Sequence, residues 1–249
     1  MSDFSPCCIV PTYDNPLTIE RVVERVRSLG LPVIVVDDGS GAEGRAACDR
    51  AAQQDGVLLH RRAQNGGKGA AVKDGLRAAR AAGYTHALQV DADGQHDFDD
   101  IPSFVEAARV EPRHLVLGYP VFDASVPKSR LWARQISVFW VTLETLGRRI
   151  VDPLCGFRVY PVAAALDVPV RGNRMDFDPE IAVRLVWAGV PVRNRPTKVR
   201  YLAADEGGVS HFQVFHDNVR ISWMHTRLVC IGIALALTWP LRRLFSRRA

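Results

Sequence analysis

Val33-Ile34-Val35-Val36-Asp37-Asp38-Gly39-Ser40 sets four β-branched residues in a row and then breaks into two acids, a glycine and a serine. A run with no polar alternation reads as a strand buried on both faces of a parallel sheet. The same rhythm extends to either side. Upstream, Cys8-Ile9-Val10 enters Pro11-Thr12-Tyr13, and residues 17–29 carry Leu17, Ile19, Val22, Val23, Val26 and Leu29 near helical period before Gly30 stops the helix. Downstream, residues 46–53 read as a short helix and 57–59 as a strand. Residues 69–82 form an alanine-rich helix closed by Gly83, 87–90 a strand, 101–108 a helix, and 115–117 a strand ended by Gly118. This alternation predicts an α/β fold, a mostly parallel sheet covered by helices on both faces, with ligands at the carboxyl ends of the strands.

The second half is less regular. Residues 130–146 are helical in pattern, 152–158 form a turn-rich connector, 180–188 are helical again and 198–201 read as a strand. At 249 residues, 47% apolar and 24% charged, the chain suits one catalytic domain, 1–216, and an appendage, 217–249. The five scattered cysteines lack zinc-type spacing and fit reduced thiols in a cytosolic compartment. Residues 1–6 hold neither a basic leader nor a long apolar run, so no secretory signal is expected.

The net charge of +5 admits nucleic acid, an anionic membrane surface or a phosphate-rich substrate. No aromatic-studded basic stripe appears, which argues against nucleic acid. Arg242, Arg243, Arg247 and Arg248 crowd the end, close behind the apolar decapeptide 228–237, and this favours a membrane surface. A single-pass span needs about 20 apolar residues. The decapeptide therefore reads as an interfacial or re-entrant helix, anchored by Trp223, Trp239 and the arginines, with a core helix or a homo-oligomer contact as the alternatives.

Three strand ends carry polar groups. Val10 leads to Pro11-Thr12-Tyr13, Val36 to Asp37-Asp38, and Val90 to Asp91-Ala92-Asp93-Gly94-Gln95-His96. Closely spaced acids at a sheet edge offer hard oxygen ligands to a divalent cation holding a diphosphate. Asp38 is placed to accept hydrogen bonds from a base or ribose, or else to cap the next helix. Asn65-Gly66-Gly67-Lys68-Gly69 opens a helix whose free N–H groups favour phosphate, with Lys68 adding charge; a plain glycine turn is the simpler reading, and the Walker spacing is absent. His96 reads as a packing or surface histidine.

These four segments, in this order, resemble glycosyltransferase family 2, and most of all its dolichyl-phosphate mannosyltransferase-like and undecaprenyl-phosphate glycosyltransferase-like members. The resemblance is strong over residues 1–120 and partial to about 216. It implies a GT-A-like, single Rossmann-type domain with a nucleotide-sugar-binding half (1–120) and an acceptor half (121–216), followed by a C-terminal apolar, membrane-associating helix. It also implies inverting, metal-dependent transfer from a nucleotide-diphosphate sugar. Carried over, Pro11, Tyr13, Asn15 and Asp38 would hold the nucleoside, Lys68 would lie near base or phosphates, and Ala92 would line the nucleotide. Asp91, Asp93 and Gln95 would hold Mg²⁺ or Mn²⁺. Asn15 stands where many relatives have glutamate.

Further on, Asp152 with Cys155-Gly156-Phe157-Arg158 looks like the family's Gly-Phe and Arg segment, and Asp178-Pro179-Glu180 like its acidic helix start. Ser210-His211 looks like a motif that elsewhere ends in lysine. Arg130, Arg134 and Arg158 are candidate phosphate clamps. A lipid phosphate acceptor is already an anionic nucleophile, whereas a hydroxyl needs a base, for which Asp178, Glu180 and Asp152 are candidates. Asp178 and Glu180 could instead cap the helix and complement its dipole.

The leading expectation is a glycosyltransferase on the cytoplasmic face of a membrane, with a polyprenyl phosphate or other lipid-linked acceptor. Transfer to a hydroxyl of another lipid or glycan, and a non-catalytic nucleotide-sugar-binding membrane subunit, are the alternatives. A nucleotidyltransferase is disfavoured, because Pro11-Thr12-Tyr13 fills the loop where a glycine- and arginine-rich turn would belong.

Overall fold

The computed structural model describes residues 4–121, 128–147, 149–199 and 214–246, with the backbone alone for 128–133, 214 and 236–246. The elements are β1 (Pro6–Thr12), α1 (Ile19–Ser28), β2 (Val33–Asp37), α2 (Ala42–Ala51), β3 (Val57–Arg61), α3 (Lys68–Ala81) and β4 (His86–Gln89). A 3₁₀ turn, Phe98–Asp100, leads to α4 (Ile101–Val110), β5 (Leu115–Val121), α5 (Lys128–Glu144), β6 (Arg158–Pro161), α6 (Val162–Asp167), α7 (Phe177–Trp187), β7 (Val192–Lys198) and α8 (Val214–Ser246).

The strands form one sheet in the order β3-β2-β1-β4-β6-β5-β7. β6 runs antiparallel to both its neighbours, and every other pairing is parallel. Both faces of the centre are buried. Cys7, Ile9, Ile34 and Val36 point into one core with α3 and α7, while Cys8, Val10, Val33 and Val35 point into the other with α1, α2 and α4. That two-sided burial is why the strand sequences show no polar alternation. α1 illustrates the helical side: Ile19, Val22, Val23 and Val26 are buried, each contributing about 1.5–3 kcal/mol relative to exposure.

After β1 the chain builds outward through β2 and β3, then returns across β1 to place β4 on its other side. The gap between the ends of β1 and β4 is therefore the topological switch point where open α/β sheets bind ligands.

Four expectations change in detail. β5 runs on through Gly118 to Val121. The glycine is needed for close approach rather than for a stop, since a Cβ there would lie 2.5 Å from the Phe157 carbonyl oxygen. The connector 152–158 ends in a strand, β6, that its turn-like composition conceals. β7 precedes the strand expected at 198–201 and ends at Lys198; its mixed polar sequence, VRNRPTK, hides the period of an edge strand. α2 starts at Ala42, ahead of the expected residue 46, behind a Gly41 N–H bonded to Asp14 Oδ1 at 2.8 Å.

The apolar decapeptide lies inside the 33-residue α8. The inner face of α8 packs on the domain, with Asp217, Met224, His225 and Leu228 buried and Met224 and Leu228 in the core beside α7. The start of the decapeptide is thus a core helix. Phe215, Val219, Trp223 and Ile233 are exposed on the outer side. Among the described residues, no helix is long and apolar enough to cross a membrane. The side chains of Trp239, Arg242, Arg243, Arg247 and Arg248 lie outside the described residues.

Candidate active site

Asp91 and Asp93 follow β4 directly, at the switch point. Their loop is pinned from α1, where Thr18 Oγ1 donates to the buried Ala92 carbonyl at 2.6 Å, and from within, where Gln95 N–H donates to Asp93 Oδ1 at 3.0 Å. Gly94 turns the chain at φ +70°. His96 Nε2 comes back to 3.7 Å from Asp91 Oδ2, its ring against Phe157 at 5.1 Å. The bland sequence reading of His96 missed this placement; the signal was the intervening glycine, which allows a reversal.

Lys68 reaches in from the first residue of α3. Its Nζ lies 2.8 and 3.0 Å from the two Asp91 oxygens and 3.0 Å from Asp178 Oδ2. Burial works against the ammonium, but the charges of Asp178 and Asp91 raise the Lys68 pKa regardless. Burial likewise disfavours the Asp91 carboxylate, yet Lys68 and His96 hold its pKa well below the usual carboxylate range. Asp93 goes the other way, raised by burial and then by repulsion from Asp91.

Behind Lys68, the glycine-rich loop is held by Asp38. The carboxylate, 2% exposed, accepts from Gly66 N–H at 2.9 Å and Gly67 N–H at 2.7 Å, and pairs with Arg62 Nε at 2.8 Å. Burial raises its pKa despite these donors. Asp38 was expected to meet a nucleoside or to cap α2; its oxygens hold the loop that precedes α3, and among the described residues no side chain caps α2. Asp37 Oδ1 accepts from Ser40 N–H at 2.9 Å and closes the turn before that helix. Gly67 adopts φ +96°, and a Cβ on it would lie 2.6 Å from the Asn173 carbonyl oxygen, so the loop packs directly on residues 173–174.

The opposite wall is residues 152–158 with the start of α7. Arg158 is fully buried: Nη1 donates to the Asp178 carbonyl at 2.9 Å, Nε to the Cys155 carbonyl at 3.0 Å and Nη2 to the Pro153 carbonyl at 3.2 Å. It was a candidate phosphate clamp, but its N–H groups are engaged by backbone and its position is closed to solvent. It organises the wall. Gly156 packs against the acid pair so closely that a Cβ would sit 2.6 Å from both Asp91 Oδ2 and Lys68 Nζ.

Asp178 faces the site from α7. Gln89 Nε2 donates to its Oδ1 at 3.4 Å, and Tyr160 Oη donates to Gln89 Oε1 at 2.9 Å. Gln89 and Tyr160 escaped the sequence reading, although a glutamine inside a buried strand was a visible signal. Glu180, two residues and so about half a turn further along, belongs to a different cluster. It is wholly buried and accepts from Gly172 N–H at 2.7 Å and Arg184 Nε at 2.7 Å, with Arg227 Nη2 of α8 at 2.7 Å. The structure corrects its reading as a catalytic acid or base: three cationic or N–H donors keep it ionised and away from the site.

Pro11 is buried within β1, opposite Val36, and Tyr13 is half-buried just beyond the strand. Asn15 is buried and donates from Nδ2 to the Tyr13 carbonyl at 3.0 Å, while its own carbonyl accepts from Thr18 and Ile19 at the start of α1. It shapes the β1–α1 turn. Arg134 of α5 pairs with Asp152, which also accepts from Leu154 N–H at 2.8 Å. The Gln95 side chain is half-buried. Ser210, His211 and the side chain of Arg130 lie outside the described residues.

Among the described residues, no three His, Cys, Asp or Glu side chains converge on a ready-made metal cage. The donor set is still of the right kind. Mg²⁺ and related hard cations are commonly held by one or two carboxylates plus substrate phosphates, and Asp91 and Asp93 are paired acids whose mutual repulsion a cation would relieve.

Comparison with known proteins agrees with this geometry. An undecaprenyl-phosphate mannosyltransferase of Micrococcus luteus is 31% identical over 162 residues, 61% of this chain and 64% of that protein. A polyprenol monophosphomannose synthase of Mycolicibacterium smegmatis is 29% identical over 161 residues, 61% of this chain and 60% of that protein. Glucosyl-3-phosphoglycerate synthase from Mycobacterium tuberculosis, solved with Mn²⁺ and UDP-glucose, shares the fold with a TM-score of 0.66 at 15% identity, over 91% of this chain and 77% of that one. The family model "Glycosyl transferase family 2" matches residues 7–167, and the chain belongs to that family of glycosyltransferases.

Proposed function

We propose that this glycosyltransferase moves a sugar from a nucleotide-diphosphate sugar, with a divalent cation at Asp91 and Asp93, to a polyprenyl phosphate at a membrane surface. The observation that carries the reading is the acid pair at the β1–β4 switch point, with Asp91 in contact with Lys68 at the start of α3. Mg²⁺ or Mn²⁺, when bound, neutralises the negative charge that grows on the departing diphosphate.

The protein's own residues supply the rest. Asp38 takes up the Gly66 and Gly67 amides and so fixes the loop from which Lys68 projects. Lys68 brings a cation to the leaving group. Tyr13, at the end of β1, lines the nucleoside side of the opening, with Pro11 and Asn15 setting the shape of its loop.

The pairing of the acids supports this acceptor class. Glu180 is ionised and sealed, and Asp178 is neutralised by Lys68 at 3.0 Å and Arg158 at 3.7 Å. Asp152, the third candidate, is paired with Arg134 and accepts from Leu154 N–H, so none of the three is a free base for a hydroxyl, whereas a phosphate acceptor needs none. The names of the two relatives above point the same way.

Membrane contact is assigned to the outer side of α8, where Phe215, Val219, Trp223 and Ile233 are exposed, and to residues 236–249 with their arginines. This would keep the enzyme on the cytoplasmic face, near a lipid-linked acceptor. The test is incubation of the protein and Mn²⁺ with labelled UDP- and GDP-sugars and vesicles containing polyprenyl phosphate. Label is expected in the lipid fraction, and Asp91→Asn should abolish it with the fold intact. Label recovered only as free sugar, or on a soluble glycan, would refute the acceptor assignment.

A further inference from the structure

Lys68 occupies an unusual place for a helix-opening lysine. Its ammonium is largely enclosed: the side chain is 17% exposed, and Nζ lies against both oxygens of Asp91, Asp178 Oδ2 and Gly156, where a Cβ would come within 2.6 Å. The Asp91 carboxylate is thus already paired with a cation before any divalent ion arrives, Oδ2 by a hydrogen bond and Oδ1 by proximity alone. A second positive charge brought to the same carboxylate would be repelled by many times RT in so buried a spot, unless the ammonium moved.

Two features make that movement feasible. Asp178 is a second anion already within 3.0 Å, so the ammonium could let go of Asp91 without being left unpaired. The lysine stem is flexible, and a diphosphate held by an ion at Asp91 and Asp93 would bring negative charge towards the ammonium.

We propose that Lys68 is a resident counter-cation, holding the Asp91 carboxylate in the free protein and passing to Asp178 and the incoming diphosphate when the divalent ion enters. The inference rests on the reading that Asp91 and Asp93 take that ion. It makes ion and nucleotide mutually dependent: the ion binds weakly alone, and binds well with a diphosphate that draws the ammonium away. Asp178 acquires a defined task as the site to which the ammonium retreats.

The experiment is Mn²⁺ binding to the full chain, followed by the loss of the free-ion electron paramagnetic resonance signal, with and without UDP. Without UDP, Lys68→Met should bind Mn²⁺ at least about tenfold more tightly than the parent. Asp178→Asn, which leaves the ammonium on Asp91, should bind it several-fold more weakly. UDP should tighten Mn²⁺ binding strongly in the parent and much less in Lys68→Met. The rise in melting temperature on adding Mn²⁺, larger in Lys68→Met than in the parent, gives a second readout for a variant of reduced stability; Lys68→Gln repeats the test should Met not fold. Equal or weaker Mn²⁺ affinity in both Lys68 variants would overturn the proposal, and unchanged affinity in Asp178→Asn would remove Asp178 from it. Failure of the cation reading itself looks different: the parent would bind no Mn²⁺ even with UDP, or Asp91→Asn would bind it as the parent does.

Discussion

Replacing Arg158 by Met removes a guanidinium that sits at zero exposure and donates to three backbone carbonyls, those of Pro153, Cys155 and Asp178. Methionine fills similar space, so the cavity contribution is small and the lost polar contacts dominate. Each carbonyl left without a donor costs roughly 1–3 kcal/mol, and breaking a buried ion pair from one side roughly 3–5 kcal/mol. The ion pair with Asp178 is long, 3.7 Å, and Lys68 remains as a partner for that acid, so the ion-pair contribution falls at the low end. These costs overlap and are partly offset by the desolvation penalty that the buried guanidinium no longer incurs, so a net loss of about 3–5 kcal/mol is expected, a large part of a typical stability of about 5–15 kcal/mol. For a chain of this length it corresponds to a melting temperature lower by about 6–20 °C. Urea unfolding followed by circular dichroism should show a lower midpoint with an unchanged slope. A phosphate-clamping arginine behaves differently. If Arg158→Met kept the parent's stability and lost only UDP affinity, the reasoning from burial would be refuted.

Other positions give separate tests. Gly156→Ala places a methyl 2.6 Å from Asp91 Oδ2 and Lys68 Nζ, so it should lower turnover at least about tenfold through displacement of the acid pair while costing little stability; parent-like turnover would show that the wall yields easily. Glu180→Met leaves buried Arg184 and half-buried Arg227 without their acid and should cost about 3–5 kcal/mol, whereas a catalytic Glu180 would predict lost turnover at unchanged stability. The pH dependence has a defined sign. Although burial alone would raise them, the Glu180 pKa is held down by Gly172 and Arg184 and the Asp37 pKa by Ser40 and Arg61. Their stabilisation is therefore complete above the ordinary carboxylate values near pH 4–4.5 and is lost as pH falls through the lower folded values. Asp38, raised by burial, acts in the opposite sense. The stability gap between the parent and Glu180→Gln should accordingly shrink on acidification below about pH 4, and a gap constant from pH 7 to 3 would exclude the linkage.

The Arg158 and Glu180 cases mark where reading the chain stops being enough. Both lie in segments whose order of residues matched an active-site pattern, and both turned out to be interior groups. Whether an arginine faces a phosphate or three carbonyls depends on which distant backbone passes over it. Arg158 is held by residues three to five positions upstream and by a helix start twenty positions downstream. The placement of Asp91 and Asp93 was legible because two acids and a glycine at the tip of an apolar strand are neighbours in the chain. His96 was legible in principle through Gly94, but its approach to Asp91 needed the actual turn.

By itself the sequence determined the parallel, two-sided character of the sheet, because β-branched runs and 3.6-residue periods are set by neighbours in the chain and survive without coordinates. It also put the acid pair and the glycine-rich loop at strand ends. Tertiary structure alone decided that β6 enters antiparallel between β4 and β5, that α8 packs its first half on the core, and that Lys68 sits between Asp91 and Asp178. Those are matters of burial and charge between residues 23 to more than 100 positions apart. Local periodicity carries no record of them, because an ion pair or a packed helix face forms only once the whole sheet has brought its partners together.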